Sequence, residues 1–469
     1  MSNRNRVFTV SLLVAAGLFA LPAPARAQGW LGDRRFAEGM GYRVGDFELH
    51  PGLGAEAGYD SNWFQRSQGT GFVNSSPGAP VASAGILRLT PSLTISTLTA
   101  QRKEGDVNAT PPKMTFRAGL SGTYRAFLGS TEISNQNGID GLSGDLFAKA
   151  DINPQRPVTV SLHGQYTRVV SPNSSGNPDA SFNRNDLGAG ADLLLTPNSG
   201  TLSWKLGYAL RASVLDNSAA APFNNISNNL ATRGEWRFRP KTSIFYEAGT
   251  SFLTFTQRTQ AFNQLNNATP FRTKLGLNGL VTSRFAFLAS AGWGASFVDT
   301  SSNALVQQYD SVIGQAEAKF FLTANPGMDA PNSVGLSISS LALGFTRDFQ
   351  TSYLTTYYGT DRGYAKLSYF FAGRALVSLE GGVGAVEYPK VFFNGGVGAI
   401  NPFTDIRADA TLFGEYRFTN SLALNTTLKF ISESGSQQLP VAGANGTVGG
   451  QYDLSYLRFE GYLGLRWFM

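Results

Sequence analysis

Few side chains in this chain could support catalysis. Its 469 residues contain no Cys and only two His, at positions 50 and 163. Thiol nucleophiles, Cys-ligated zinc and iron–sulfur clusters are therefore excluded, and little imidazole chemistry remains. Ser161 lies two residues before His163 and shares a face with it in an extended segment. Because a nucleophile and its base must come within hydrogen-bond reach, this pair is the hydrolytic arrangement to consider first.

Each of these candidates also has a simpler interpretation. His163 falls on the polar face of its segment, where a hydrated His is expected, and His50 shares a face with Glu48 at the start of another. Asp405 and Asp409 could in principle act as the two carboxylates of a glycosidase, but their spacing in the sequence does not specifically indicate the required separation of the two groups. We therefore predict that the protein is not an enzyme and carries no cofactor, metal or catalytic residue.

The first 27 residues have the features of a secretory signal peptide. Arg4 and Arg6 precede an apolar stretch at residues 10–21, and Ala25-Arg26-Ala27 forms a cleavage motif. The stretch is about 12 residues long, shorter than the roughly 20 of a spanning helix. We predict export with cleavage near Ala27, then a periplasmic segment at residues 28–45 and a single domain at residues 46–469.

Composition narrows the class further. The chain is 15% charged and 12% aromatic with 53 Gly, and its formal charge is +6. Three Arg of the predicted leader account for half of that excess. The remaining Lys and Arg are spread evenly, so we predict no nucleic-acid partner.

A repeat of about 42 to 47 residues organises the predicted domain. Short turn signals, such as residues 196–200 and 419–421, recur at this interval, and longer Asn-, Ser- and Gly-rich segments lie between them. Each period therefore predicts a strand, a long loop, a second strand and a short turn. A propeller blade would hold four shorter strands, whereas alternating loop lengths are typical of outer-membrane barrels.

Alternation within each segment predicts which face a side chain occupies. In residues 201–215, Leu202 and Trp204 share one face, opposite Ser203. Segments of 10 to 15 residues are long enough to cross the hydrocarbon when tilted by about 45°. We predict an all-β fold, namely a transmembrane antiparallel up-and-down β-barrel of about 18 strands. Sixteen is the alternative, because Pro51 and Pro91 interrupt the first two.

A barrel of this size leaves an aqueous channel lined by the polar face. Arg168 and Glu387 are the exceptions that we find, with charges on the apolar face beside long loops. A slight basic excess on the polar face predicts a weak preference for anions or acidic sugars. The alternative is that these charges pair across strands and only solvate the wall. The charged residues predicted to line the lumen are Arg117, Arg125, Lys205, Arg211, Arg233, Glu235, Arg237, Arg272, Lys274, Lys366, Asp405, Arg407, Asp409, Glu415, Arg417, Arg458 and Glu460.

Two short motifs open the predicted domain. Residues 47–53 form a strand with a central Pro that leads into Tyr59-Asp60-Ser61-Asn62, and residues 86–93 alternate around Pro91. This pattern resembles a family of outer-membrane β-barrel porins of Gram-negative bacteria that is associated with exopolysaccharide loci. The resemblance implies a passive pore for export of exopolysaccharide or passage of saccharides. It also implies polysaccharide and periplasmic export components as partners.

Two other functions remain open at this point. One is a general porin for small hydrophilic solutes, and the other is a structural or adhesive surface barrel that presents its long loops. In each case the predicted partners are outer-membrane lipid and the barrel-assembly machinery. The last segment resembles the C-terminal recognition strand of outer-membrane proteins, but it ends in Met469, with Phe468 one place earlier than usual.

Overall fold

The structure is a computed structural model. It describes residues 41–67, 81–97, 112–129, 133, 141–154, 156–170, 183–197, 200–216, 218–257, 266–299, 307–322, 339–352, 356–371, 374–392, 399–435, 438–442 and 448–469. The predicted signal peptide, and residues 28–40 of the predicted periplasmic segment, lie outside these ranges.

The described residues form 23 strands and one 3-10 helix, Ser218–Phe223. The first twelve strands are β1 (Tyr42–Val44), β2 (Phe47–Asp60), β3 (Ala84–Thr97), β4 (Met114–Leu128), β5 (Leu142–Ile152), β6 (Val158–Val169), β7 (Arg184–Leu195), β8 (Leu202–Leu215), β9 (Asn225–Arg239), β10 (Thr242–Phe255), β11 (Ala268–Thr282) and β12 (Phe285–Val298). The others are β13 (Tyr309–Phe321), β14 (Ser340–Thr351), β15 (Tyr357–Phe371), β16 (Ala375–Tyr388), β17 (Val391–Phe392), β18 (Ala399–Ile400), β19 (Phe403–Arg417), β20 (Leu422–Ser434), β21 (Gln438–Ala442), β22 (Val448–Asp453) and β23 (Tyr456–Phe468).

Eighteen of these strands form one closed antiparallel barrel. Strands β2 to β16 pair in chain order and are followed by β19, β20 and β23. The barrel closes where β23 pairs with β2, from Gly52 opposite Phe468 to Asp60 opposite Glu460. Closure leaves no edge strand, so backbone groups are satisfied without water. The predicted fold class and 18 strands are confirmed, and the alternative of 16 is not observed.

Neither proline breaks the wall, although the β3–β4 pairing skips Thr90 and Pro91. Pro51 lies opposite Leu93, and Pro91 lies opposite Leu53, within a continuous β2–β3 ladder. A proline lacks only its own N–H and still offers a carbonyl. That of Pro51 accepts a hydrogen bond of 3.0 Å from the backbone N–H of Met469.

An apolar belt covers the outer face of the barrel. Exposed side chains of this belt occur on strands all around the wall, among them Leu87, Leu120, Leu146, Leu206, Leu275, Val312, Leu343, Val383, Leu428 and Leu463. Aromatic residues of the same face cluster near strand ends, where they are also exposed, including Tyr59, Tyr166, Trp236, Phe238, Phe320, Tyr416, Phe418 and Trp467. A continuous apolar surface of this extent requires a non-aqueous surrounding. The described ranges contain no helix that is long and apolar enough to span a membrane.

The prediction of only two charges on the outer face was wrong. The strand register places Asp310, Arg347 and Asp361 on that face as well. Arg347 Nη1 lies 2.5 Å from Asp361 Oδ2, and Arg168 Nη1 lies 2.8 Å from Asp216 Oδ2. These residues lie toward the ends of their strands at one mouth of the barrel, where neighbours can neutralise them at the edge of the belt.

The remaining short strands lie at the two ends of the barrel. Strand β1 pairs with the first residues of β2, from Val44 opposite Phe47 to Tyr42 opposite Leu49. Strands β17 and β18 pair with each other, as do β21 and β22, in two of the long loops. Below, the end at which β9 turns into β10 and β15 into β16 is called the short-turn end, and the opposite end the long-loop end.

Candidate functional site

Contacts that skip strands identify the inner face of the barrel. Arg362 on β15 reaches past β16 to Asp409 on β19, with Nη2 2.6 Å from Oδ2. Such a contact forms only on the concave side of a curved sheet. Both residues alternate with the exposed apolar belt, so the side chains opposite the belt point inward. The register places the residues predicted to line the lumen on this inner face, except Arg237, which lies at the β9–β10 bulge where the register shifts. That they contact a solute stays a prediction.

Most of the inward charges are neutralised by a neighbour. The charged contacts within 4.0 Å that involve the predicted residues are Lys205–Asp192, Arg233–Glu247, Arg237–Glu235, Arg272–Asp348, Lys274–Asp348, Arg362–Asp409, Lys366–Glu380, Arg417–Glu415, Arg466–Glu415, Arg458–Asp60 and Arg458–Glu460. Arg125 instead donates to Ser143 Oγ at 2.5 Å. The expected pairing across strands is therefore observed, and it lowers the net charge along the wall.

A few inward cations are exceptions to this pairing. Within the described part of the chain, Arg211, Arg407, Lys319 and Lys429 have no carboxylate oxygen within 4.0 Å. The charges of Arg211, Lys319 and Lys429 remain available to the lumen, whereas Arg407 lies opposite Glu433 and interacts with it electrostatically. The lumen-lining prediction omitted Arg362 and Asp348. The period of two would have found them, because Arg362 lies on the same face of β15 as Lys366, and Asp348 lies on the same face of β14 as Thr346.

Arg272 of β11 contacts Asp348 and Phe349 of β14 near the long-loop end, and these three side chains are called the chord below. The Arg272 guanidinium lies 4.1 Å from the centre of the Phe349 ring, and that ring stacks on Tyr309 at 4.2 Å. Space for Phe349 comes from Gly294 on β12, where an added Cβ would lie 2.7 Å from Phe349 Cε1. The chord therefore occupies part of the lumen instead of lying flat against the wall.

The Tyr59-Asp60-Ser61-Asn62 motif locks the seam where the barrel closes. Asp60 is fully buried and accepts hydrogen bonds from Arg458 on the last strand, at 3.0 Å from Nε and 2.5 Å from Nη2 to Oδ2. Asn62 donates from Nδ2 to the carbonyls of Arg66 and Leu457. The motif thus ties the first loop to β23, a contact between residues about 400 positions apart. This role could not be seen from the sequence, because the partner is so distant.

The same loop carries an apolar cluster into the long-loop mouth. Trp63 packs edge-on against Phe127 with 4.8 Å between ring centres. Phe64, Ile86 and Ile133 are buried in the same cluster. Because these side chains are buried on the inner side, they narrow the mouth beside β2, β3 and β4.

Three inward aromatic residues, Tyr364, Phe370 and Tyr462, are covered by neighbouring side chains. Tyr364 donates its hydroxyl to Glu317 Oε2 at 2.8 Å, and Arg88 lies 3.4 Å above the Tyr462 ring. Tyr364, Phe370 and Tyr462 are all buried. These three rings therefore fill space along the inner wall.

The residues considered for catalysis make other contacts. Ser161 donates its hydroxyl to Asp151, and His163 Nδ1 lies 3.8 Å from Asp192 Oδ2. His50 Nδ1 lies 3.2 Å from the backbone oxygen of Met469 and so faces the chain terminus. Over the described ranges, no three His, Cys, Asp or Glu side chains converge as a metal site.

Comparisons with known proteins find solved structures of low sequence identity, with TM-scores below 0.5. No protein-family model matches the sequence, and no curated protein matches it. Among solved structures, OpdK of Pseudomonas aeruginosa with vanillate is 11% identical, covers 90% of this chain and 98% of its own, and has a TM-score of 0.45. OccAB4 of Acinetobacter baumannii is 10% identical over 90% and 98% of the two chains, with a TM-score of 0.42. A variant of the ferric enterobactin receptor PfeA of Pseudomonas aeruginosa is 11% identical over 90% and 80%, with a TM-score of 0.43.

Proposed function

We propose that this protein is an outer-membrane barrel of a Gram-negative bacterium that acts as a passive pore for hydrophilic solutes. One observation carries the proposal: a closed wall of 18 strands is apolar outside and polar, largely charge-balanced, inside. Barrels of 16 to 18 strands are wide enough for an aqueous channel. Lipid is the surrounding that such an outer face requires.

The orientation follows from loop lengths. In single-chain outer-membrane barrels the short turns face the periplasm and the long loops face outward. The chain terminus at Met469 and the start of β2 then lie at the periplasmic end. Assembly would involve the barrel-assembly machinery, which reads the final strand. In β23 the residues Phe459, Leu463, Leu465 and Trp467 are exposed on the outer face for such recognition.

Saccharides, including segments of exopolysaccharide, are the proposed preferred cargo. The resemblance of the β2 and β3 motifs to porins of exopolysaccharide loci supports this cargo. A wall whose charges are mostly paired is also suited to long neutral solutes, because it offers few strong electrostatic traps. Periplasmic export components would then deliver the polymer at the short-turn end. A general porin for small hydrophilic solutes is the alternative.

The test is reconstitution of the purified protein into planar bilayers and liposomes. We expect stepwise ion conductance and swelling of proteoliposomes in neutral sugars. Passage of oligosaccharides well above the size at which general porins exclude solutes would support the polysaccharide conduit. A sharp size limit at small sugars would support the general porin. Absence of any conductance would overturn the pore and leave the structural or adhesive function.

A further inference from the structure

A recess opens from the lumen wall in the short-turn half of the barrel. It is a cavity of about 470 Å³ formed by β2, β3, β4, β5, β19, β20 and β23. Its floor is β2, where Gly52 and Gly54 stand at inward positions and add no side chain. The volume falls in the range of roughly 300–1,000 Å³ that is usual for small-molecule sites.

Fixed hydrogen-bonding groups surround this floor. Glu56 Oε1 accepts a hydrogen bond of 2.7 Å from Asn425 Nδ2. The other oxygen, Glu56 Oε2, lies 2.7 Å from Arg88 Nη2. Asp145 accepts from Ser121 Oγ at 2.5 Å. Because these carboxylates are already held in place, they present their remaining lone pairs in defined directions.

The recess also contains hydroxyl groups and an unsatisfied acceptor. Ser92, Thr94 and Thr427 line it. Asn425 is 4% exposed, and its Oδ1 atom accepts no hydrogen bond from the described residues. A buried amide oxygen without a partner costs free energy, which a ligand hydroxyl placed against it would recover.

The charges and rings of the recess restrict the class of ligand. Glu56 is paired with Arg88, and Arg466 is paired with Glu415 at 2.9 Å. Asp145, held by the neutral Ser121 hydroxyl, adds one negative charge, and Glu415 is shared by Arg417 and Arg466, which leaves one positive charge, so the recess is close to neutral overall. The rings of Phe147 and Phe413 also line the cavity. Hydroxyls, carboxylate acceptors and aromatic carbon together match a molecule that has many hydroxyls and an apolar C–H face.

We propose that this recess is a binding subsite for neutral saccharide units, of the size of one or two sugar rings. The proposal rests on the passive-pore function above and gives that pore a point of contact with its cargo. Binding from one side of a wide lumen would hold a sugar briefly while leaving a path for exchange. Solute would therefore pass in a saturable manner and not by free diffusion alone.

The test measures block of ion current through single channels in planar bilayers. The probes are neutral trisaccharides with differing linkages, namely maltotriose, cellotriose and tri-N-acetylchitotriose, with polyethylene glycol of similar size as the non-sugar control. We expect saturable block by at least one trisaccharide and no saturable block by the glycol. Absence of block by all three sugars in a conducting channel would overturn the subsite, whereas absence of conductance would overturn the pore itself.

Two variants locate the block in the recess. Thr427→Val and Asn425→Leu keep side-chain size and remove hydrogen-bonding groups, and we expect each to weaken apparent sugar affinity by about three- to tenfold. The matched control is Thr346→Val, an inward residue of β14 outside the recess. Conductance without sugar confirms that each variant folds. Equal block in Thr427→Val, Asn425→Leu and the control would place sugar binding elsewhere and overturn the proposal.

Discussion

The Nε atom of Arg272 and the Oδ1 atom of Asp348 lie 2.9 Å apart inside the barrel, although β12 and β13 separate their strands. Phe349 follows Asp348 and lies beneath the same guanidinium. The contact is a chord across the curved inner face. It links four strands near the long-loop end and takes up cross-section that solutes would otherwise use.

A double-mutant cycle of Arg272→Ala and Asp348→Ala tests this chord. Because both side chains are about one-third exposed, with 34% and 37% of their surface accessible, water weakens the pair. We expect a coupling of about 0.5–1 kcal/mol in guanidinium unfolding of the refolded barrel. Each single variant should also raise single-channel conductance. Strictly additive unfolding energies together with unchanged conductance would contradict the chord.

Loss of Arg458 should be far more damaging than loss of an exposed cation. Arg458→Ala would leave Asp60 buried and unpaired at the seam, at a cost of about 3–5 kcal/mol. Heat-dependent migration of the folded barrel on gels, together with chemical unfolding, measures this cost. The control is Lys149→Ala, whose pair with Asp151 is partly exposed, with 49% and 25% of the two side chains accessible, and whose loss should cost less than about 1 kcal/mol. Similar losses in the two variants would show that the seam does not depend on the buried pair.

Neighbouring residues of β16 provide a test of the lipid-facing belt. Leu379 is exposed on the outer face, and Ser378 points inward. We expect Leu379→Arg to destabilise the barrel in lipid by about 2–4 kcal/mol, because the charge enters hydrocarbon. Ser378→Arg adds the same side chain to the hydrated side and should cost much less. Equal effects in unfolding from phospholipid vesicles would mean that the two faces are assigned wrongly.

The weak anion preference should depend on the inward cations that lack an ion pair. Arg211→Gln and Lys429→Gln should each lower the ratio of anion to cation permeability by about twofold, since a single charge in a hydrated lumen is screened. The reversal potential under a salt gradient reports this ratio. Lys429→Arg keeps the charge and should behave like the unmodified protein. A cation preference in the unmodified pore would refute the predicted bias.

Local pattern accounts for most of what could be predicted about the wall. Strand positions, their number and the facing of residues such as Leu202 and Ser203 follow from a period of two, which neighbours in the chain determine. The same pattern missed Phe349, which is buried against Tyr309 although it shares its parity with the outward residues Leu343 and Phe345. That departure depends on the space left by Gly294 two strands away, which no local rule contains.

By itself, the sequence determined the alternation of apolar and polar faces and most of the alternation of short and long connections, because both depend only on residues close in the chain. The connections on either side of β14 depart from that alternation. The tertiary structure decided which charges neutralise one another, that Asp60 holds Arg458 across the seam, and that a recess forms beside Asn425. Those features depend on closure and curvature, which bring residues of distant strands to the same side of the lumen. The two-residue period of the sequence does not depend on how the barrel closes, so it does not predict which distant side chains come into contact.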